Sequence, residues 1–237
     1  MMRKYNISAF FPVYNDEETV KLMVEKLHKV LKKVAKDYEI IIVDDCSPDN
    51  SGKIAEQIAK KDRKVRVMHH KKNRGYGGAL KTGFKAAKKE LVFYTDGDAQ
   101  YNVAELEKLI PFIEKYDVVN GYKISRGDEW YRALIGNVYN WFVHLTFNLK
   151  VKDVDGDFRL IKKKIFQDIG LESDTGSICL ELMKKIQNAG YTIKNVPVHH
   201  YPRIHGKSQF FKIRIIVKTL LTLAKQWYEL VILKKTK

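Results

Sequence analysis

The sequence predicts an α/β fold, a mostly parallel central sheet with helices on both faces. Strand-like and helix-like segments alternate regularly through residue 120. The strand-like runs, such as Ile40-Ile41-Ile42-Val43, are apolar throughout, as expected of strands covered on both sides. Several of them stop at acidic residues, and in open α/β sheets the carboxyl ends of strands are where ligands bind. The crossovers are expected to be right-handed.

Each element follows in order. Residues 5–11 read as a first strand, stopped by Pro12. Asn15 or Asp16 can cap the helix that follows. In that helix Val20, Met23, Val24, Leu27, Val30, Leu31 and Val34 recur at three-and-four spacing, one apolar stripe. Residues 39–43 form a second strand ending at Asp44-Asp45, then a turn and a helix over 51–61. Residues 65–68 are a third strand. Asn73-Arg74-Gly75-Tyr76-Gly77-Gly78 opens a helix carrying Ala79, Leu80, Phe84 and Ala87. A fourth strand ends at Asp96, a helix covers 103–115, and a fifth strand covers 117–120. The second half is less regular: an aromatic helix over 129–149, a strand over 158–161, a helix over 177–189 closed by Gly190, and a strand over 191–196.

With 237 residues, 45% of them apolar, the chain can bury a proper core. The chain enters a strand almost at once, and no signal peptide is expected. Cys46 and Cys179 lack metal-ligand spacing and read as structural thiols in a reducing compartment. The formal charge of +16 favours a polyanionic partner. Most of the lysine runs, including Lys32-Lys33 and Lys162-Lys163-Lys164, read as solvated helix faces.

The most informative segment is Leu91-Val92-Phe93-Tyr94-Thr95-Asp96-Gly97-Asp98-Ala99-Gln100. An apolar strand ends in two carboxylates one residue apart, with an amide two further on. Hard oxygen ligands at one point suit Mg²⁺ or Mn²⁺ bridging to a phosphorylated substrate. Asp and Gly are also ordinary turn residues. Two like charges about 4 Å apart repel by roughly 4 kcal/mol at an intermediate dielectric, and a divalent cation would remove that cost. The glycine-rich stretch at 73–78 lacks the ending of a Walker motif and the spacing of a dinucleotide fingerprint. Its glycines would admit a ligand or seat a helix closely, and Arg74 suits phosphate or carboxylate. His199, His200 and His205 cluster without a zinc pattern; His69-His70 reads as a strand end.

The ordered set Pro12–Glu17, Val43–Asp49, Asn73–Ala79 and Asp96–Gln100 resembles the family-2 inverting glycosyltransferases. Within them it is similar to the dolichyl-phosphate mannose synthase and polyprenyl-phosphate glycosyltransferase group. Asp153-Val154-Asp155-Gly156-Asp157-Phe158-Arg159-Leu160 and Arg203-Ile204-His205-Gly206-Lys207-Ser208 match two later motifs. The resemblance implies the GT-A fold over residues 1–208, a nucleotide-sugar donor of the GDP-mannose or UDP-glucose type, and Mg²⁺ or Mn²⁺. By matched position Pro12, Tyr14, Glu17 and Asp44 hold the nucleoside, with Asn15, Asp45, Arg74 and Gly75 beside them. Asp96, Asp98 and Gln100 hold the metal and the diphosphate. Asp96, Asp98, Asp157 and Arg203 form the catalytic set, and Arg126, Arg132 and Ser208 collect an acceptor phosphate. Two departures stand out. The group's Ser-Arg after the fifth strand is Tyr122-Lys123, and the Gly before Phe-Arg is Asp157, placed either on sugar hydroxyls or on local backbone. Glu181 matches an acidic family position and equally suits a solvated helix face.

Residues 210–233 read as one helix, about 35 Å long at 1.5 Å per residue. Lys218 and Lys225 fall near its middle, so it is not expected to span a bilayer. Its apolar and polar residues sort onto opposite halves, the pattern of an interfacial helix. Docking on its own domain or in a homo-oligomer accounts for it equally well. The resulting expectation for 209–237 is an appendage, and for the protein a peripheral position on the cytoplasmic face of a membrane, held by anionic lipid or by a separate membrane subunit. The expected acceptor is a polyprenyl (dolichyl or undecaprenyl) phosphate, with a glycan, protein or other lipid as the alternative. A nucleotide-sugar pyrophosphorylase would place a glycine-rich, arginine-bearing loop where Pro12-Val13-Tyr14-Asn15 stands. A basic nucleic-acid-binding protein would explain the charge but not the acidic strand ends, and no nucleic-acid partner is expected.

Overall fold

A computed structural model describes residues 5–126, 130–202 and 222–237. Its strands are β1 (Tyr5–Val13), β2 (Ala35–Asp44), β3 (Val65–His69), β4 (Leu91–Thr95), β5 (Val118–Arg126), β6 (Phe158–Lys162) and β7 (Ile193–His200). They form one sheet in the order β3-β2-β1-β4-β6-β5-β7. All neighbours are parallel except β6, which runs antiparallel to both β4 and β5. The sheet is therefore mostly parallel, as expected, and the reversed strand accounts for the irregular second half.

The chain winds outward from β1 to β3, then returns to place β4 on the other side of β1. That junction is a topological switch point, whose crevice lies beyond the carboxyl ends of the strands. Because β6 is reversed, its first residue Phe158 pairs with Thr95, the last of β4. Asp157 is thereby delivered to the same rim as Asp96.

Alternate residues of the central strands feed two cores. Ile7, Ala9 and Phe11 face α1 (Val20–Val34) and the segment after residue 102. Phe10, Ile41, Val43 and Val92 face α3 (Gly75–Ala86), α5 (Trp130–Phe147) and α6 (Ile178–Asn188). Helix α2 (Ser51–Lys61) packs beside α1 and β3.

Some boundaries differ from expectation for local reasons. β1 runs past Pro12. The Asp45 amide donates to the Val13 carbonyl at 3.0 Å, so Val13 faces β2 and Pro12 faces the opposite side. There the β1–β4 ladder has already ended at Phe10 and Tyr94, so the missing N–H of Pro12 interrupts no pairing. Neither Asn15 nor Asp16 caps α1 with its side chain. Thr19 is the N-cap residue, and its hydroxyl donates to the carbonyls of Asp16 and Gly97, at 3.1 and 2.7 Å. The expected helix over 103–115 is instead a 3₁₀ turn, the single turn α4 (Leu106–Leu109) and a second 3₁₀ turn at Ile110–Phe112. Pro111 removes the donor that a continuous helix needs.

At the C-terminal end, residues 222–227 are helical and Tyr228–Ile232 form a π-helical turn. Leu223 and Leu230 are buried in the second core. The Trp227 indole donates to the Thr146 carbonyl at 3.1 Å, and Asn188 donates to the Leu230 carbonyl at 2.8 Å. This part of the expected interfacial helix thus rests on α5 and α6; residues 210–221 lie outside the described residues. Among the described residues no helix is long and apolar enough to cross a membrane. Cys46 is an exposed free thiol and Cys179 a buried one.

Candidate active site

The rim is assembled from strand ends. β4 delivers Asp96, and the turn that follows carries Asp98 and Gln100. The Gln100 amide N–H donates to Asp98 Oδ1 at 3.1 Å, with Ala99 at φ +61°. Gly97 allows this turn to sit against β1, since a Cβ there would lie 2.3 Å from the Pro12 carbonyl oxygen. Gln100 is stitched to the end of β7. Its side-chain N–H₂ donates to the Tyr201 carbonyl at 2.9 Å, and the Tyr201 amide donates to the Gln100 carbonyl at 2.8 Å. The carbonyl of the Gln100 side chain is thereby left as an oxygen donor.

Asp96 is half-buried in this rim. Burial, then the nearby carboxylates Asp157 and Asp98, push its carboxyl well above the usual range. The Tyr76 hydroxyl opposes that shift by donating to Asp96 Oδ1 at 2.7 Å. Asp157 is buried. Its Oδ1 accepts from the Cys179 thiol at 3.0 Å and lies 3.5 Å from the Arg159 guanidinium. Arg159 is fully enclosed. It donates to Asn120 at 2.7 Å, to the Val154 carbonyl at 2.6 Å and to the Tyr94 hydroxyl.

Asp153 and Asp155 complete an acidic wall. Asp153 Oδ2 is buried and lacks a hydrogen-bond partner among the described residues. Burial, with Asp153 and Asp157 adding to it, pushes the Asp155 carboxyl up to about 7. Lys123 points into this wall. Its ammonium approaches the Asp155 carbonyl at 3.4 Å and lies 5.8 Å from the centre of the Tyr101 ring. Burial lowers its pKa, but Asp153, Asp157, Asp96 and Asp155 together outweigh burial and raise it. The ammonium therefore stays charged.

Asp96, Asp98 and Gln100 fit a hard divalent cation. They offer oxygen donors in one turn, and the excess of neighbouring carboxylates calls for positive charge. Among the described residues no group of three or more His, Cys, Asp or Glu side chains is placed to hold a metal ion by itself. An open site of this type completes its shell with substrate phosphates and water, the usual habit of Mg²⁺.

The expected nucleoside residues lie on the adjoining loops. Tyr14 is exposed, and Asn15 adopts φ +63°. Glu17 Oε2 accepts from the Asn50 amide at 2.9 Å and its side chain at 3.0 Å, joining the loop after β1 to the loop after β2. Asp44 and Asp45 are buried and already engaged. Asp44 accepts from the Ser47 amide at 3.0 Å and faces His69 Nδ1 at 2.8 Å. Asp45 Oδ1 accepts from the Arg74 amide at 2.7 Å and faces His70 Nδ1 at 2.5 Å. His69 and His70 thus do more than end a strand: they hold the two carboxylates.

Arg74 is exposed. The glycines after it seat protein, not open space. Gly75 has φ +75°, and the Gly77 amide donates to the Asp174 carbonyl at 3.1 Å. A Cβ on Gly77 would lie 2.4 Å from the Ser173 carbonyl oxygen. Glu181 is not on a solvated face. It is buried, accepts from the amides of Glu172 and Ser173 at 2.9 and 2.8 Å, and pairs with Lys185 at 3.0 Å. Arg126 closes β5 opposite His200, and Arg132 lies in the first turn of α5. Arg203, His205 and Ser208 lie outside the described residues, although Tyr201 and Pro202 bring the chain up to the acidic turn.

Tyr76 and Arg159 join the site with no role marked by the sequence motifs, and Lys123 stands where the resemblance expects an arginine. A charged residue inside an otherwise apolar run, as in Phe158-Arg159-Leu160-Ile161, was the available signal for Arg159. Nothing local signals the contact between Tyr76 and Asp96.

The chain is similar to known proteins over most of its length. The chain is 30% identical over 212 residues to an undecaprenyl-phosphate 4-deoxy-4-formamido-L-arabinose transferase of Proteus mirabilis, covering 89% of this chain and 64% of that protein. The chain therefore spans just under two thirds of that relative's length. Its fold matches the glucosyl-3-phosphoglycerate synthase of Mycobacterium tuberculosis in complex with Mn²⁺, UDP and glucosyl-3-phosphoglycerate. The TM-score is 0.69 at 14% identity, over 94% of this chain and 77% of that one. It also matches the mannosyltransferase PcManGT of Pyrobaculum calidifontis in complex with GDP-Man and Mn²⁺. There the TM-score is 0.65 at 19% identity, over 87% of this chain and 59% of that one. These likenesses establish the GT-A fold. The family model for glycosyl transferase family 2 matches residues 8–170, and the chain belongs to that family.

Proposed function

We propose that this glycosyltransferase moves a hexose from a nucleotide sugar to a polyprenyl phosphate, with inversion at the anomeric carbon. The observation that carries the reading is the acidic turn Asp96–Gln100 at the switch point, stitched to the end of β7 just before Arg203. A divalent cation bound there would neutralise the diphosphate leaving group. The two carboxylates and the Gln100 carbonyl would hold it, and the loops bearing Tyr14, Glu17 and Arg74 would flank the nucleoside.

A phosphate monoester is already an anionic nucleophile at neutral pH. It needs alignment and charge screening more than a strong base. One acceptor oxygen forms the new bond to the anomeric carbon while the bond to the diphosphate oxygen breaks on the opposite face. In this reading Lys123, Arg126, Arg132 and Ser208 collect the acceptor phosphate, and Arg203 belongs to the catalytic set. Lys123 takes the place of the arginine expected after the fifth strand, and its raised pKa keeps it cationic. The Asp153–Asp157 wall offers acceptors for sugar hydroxyls, Asp157 among them.

A membrane-surface position also belongs to this reading. Val138, Trp141, Phe142 and Leu145 form an exposed stripe at i, i+3, i+4 and i+7 on α5. Trp227 bonds to the same helix, and Tyr228, Ile232 and Leu233 are also exposed. The exposed side chains of α5 and of residues 222–237 would then lie against the cytoplasmic leaflet that carries the lipid acceptor.

The test is transfer from labelled GDP-mannose and UDP-glucose to undecaprenyl and dolichyl phosphates in detergent with Mn²⁺. The expected result is a lipid-extractable sugar phosphate, absent with chelator and reduced at least roughly 100-fold in Asp98→Asn, whose melting temperature stays near wild type. Transfer only to a glycan or protein, or full activity in Asp98→Asn, would overturn the reading.

A further inference from the structure

We propose that Tyr76 is a positioning residue for the metal-binding carboxylate Asp96, held in place by a brace that Glu181 and Lys81 organise. The proposal rests on the metal reading given above.

A carboxylate rotates broadly about its last torsion. The Tyr76 hydroxyl, 2.7 Å from Asp96 Oδ1, engages one oxygen and directs the other away from itself. That selects one carboxylate orientation before any cation arrives. Binding then avoids much of the ordering cost that a freely rotating ligand would incur.

Tyr76 can do this only if its own backbone is fixed. It stands between Gly75 and Gly77, and both glycines abut the backbone of Ser173 and Asp174 so closely that neither tolerates a Cβ. The Gly77 amide bonds to the Asp174 carbonyl at 3.1 Å. Lys81, one helical turn further along α3, donates to the Glu172 carbonyl at 2.7 Å and pairs with Asp174 at 2.6 Å. From the other side the buried Glu181 gathers the amides of Glu172 and Ser173. Lys185 bonds both Glu181, at 3.0 Å, and the Gly170 carbonyl, at 2.8 Å. The result is a continuous run of contacts from α6, through residues 170–174, to the turn that opens α3 and on to Asp96. Groups that orient a metal ligand commonly contribute tenfold to hundredfold in metal affinity.

The experiment measures Mn²⁺ binding to the full chain by electron paramagnetic resonance, in the presence of UDP and separately of GDP. Thermal melting in chelator runs alongside. Tyr76→Phe is expected to bind Mn²⁺ roughly tenfold to hundredfold more weakly than wild type, with a chelator melting temperature close to wild type. Lys81→Met, which leaves the phenol intact and loosens the brace, is expected to shift affinity severalfold in the same direction and decides the case if Tyr76→Phe does not fold. Wild-type Mn²⁺ affinity in the folded variants, alongside its loss in Asp98→Asn, would overturn the positioning role and leave the metal reading standing. Retained Mn²⁺ binding in Asp98→Asn would bring down the metal reading and this proposal with it.

Discussion

Asp155 shows how far the rim departs from ordinary solution chemistry. Its carboxyl is pushed up to about 7 by burial and by Asp153 and Asp157. An unfolded Asp ionises near about 4, so the folded state binds this proton more tightly. Folding stability contributed by the neutral form is complete at low pH and declines as pH climbs from about 4 through 7. Asp155→Asn, which cannot ionise, should therefore be more stable than wild type at pH 8 without metal, by about 1–3 kcal/mol. The advantage should shrink toward zero near pH 4. Denaturant melts at four or five pH values would check this, and a pH-independent gap would show an ordinary carboxylate. At this scale the sequence was legible wherever the chemistry is contiguous. Asp96, Asp98 and Gln100 announce themselves as oxygen donors at the end of an apolar run. The pairing of Asp44 with His69 was not visible, because it depends on the register that sets those two residues side by side in β2 and β3. The contact between Tyr76 and Asp96 depends on a still more distant segment.

At the scale of elements, the glycine-rich turn before α3 is the clearest case of one pattern with two physical readings. A phosphate loop and a closely seated helix both need missing side chains. The structure fills the space beside Gly75 and Gly77 with the backbone of Ser173 and Asp174. Gly77→Ala would force its methyl group to within 2.4 Å of a carbonyl oxygen, and neither backbone segment is free to move. The expected cost is about 1–3 kcal/mol, read as a lowered denaturation midpoint with unchanged slope. A neutral substitution would mean that the brace yields easily. Periodicity gave the helices α1, α3 and α6 nearly as observed, since their apolar stripes are long and uninterrupted. It overran at 103–115, where the stripe continues but Pro111 ends the hydrogen-bond ladder, and it stopped β1 too soon. A proline matters only where a donor is needed, and Pro12 faces the side of β1 where β4 pairing has already ended.

On the scale of the whole molecule, the C-terminal segment carries two sets of apolar residues with different surroundings. Leu223 and Leu230 complete the second core beneath α5 and α6, whereas Trp227, Tyr228, Ile232 and Leu233 remain exposed. The amphipathic pattern was readable in the sequence, but which surface it serves was not, since a helix that docks on its own domain and one that lies on a membrane share the same sorting. The two sets should separate by experiment. Leu230→Ala should cost about 2–5 kcal/mol by leaving a cavity and lower the melting temperature. The double substitution Trp141→Ser with Leu145→Ser removes 66% and 67% exposed side chains from α5 and should leave melting nearly unchanged. If that stripe is the membrane-facing surface, the double variant should sediment far less with anionic phosphatidylglycerol vesicles than wild type does, while binding UDP or GDP with Mn²⁺ normally. Cationic side chains alone would retain part of the vesicle binding, at about 1 kcal/mol for each residue near the surface, and that part should disappear as salt rises. Wild-type sedimentation by the double variant at high salt would remove α5 from the membrane face and leave lipid access to be explained by another surface.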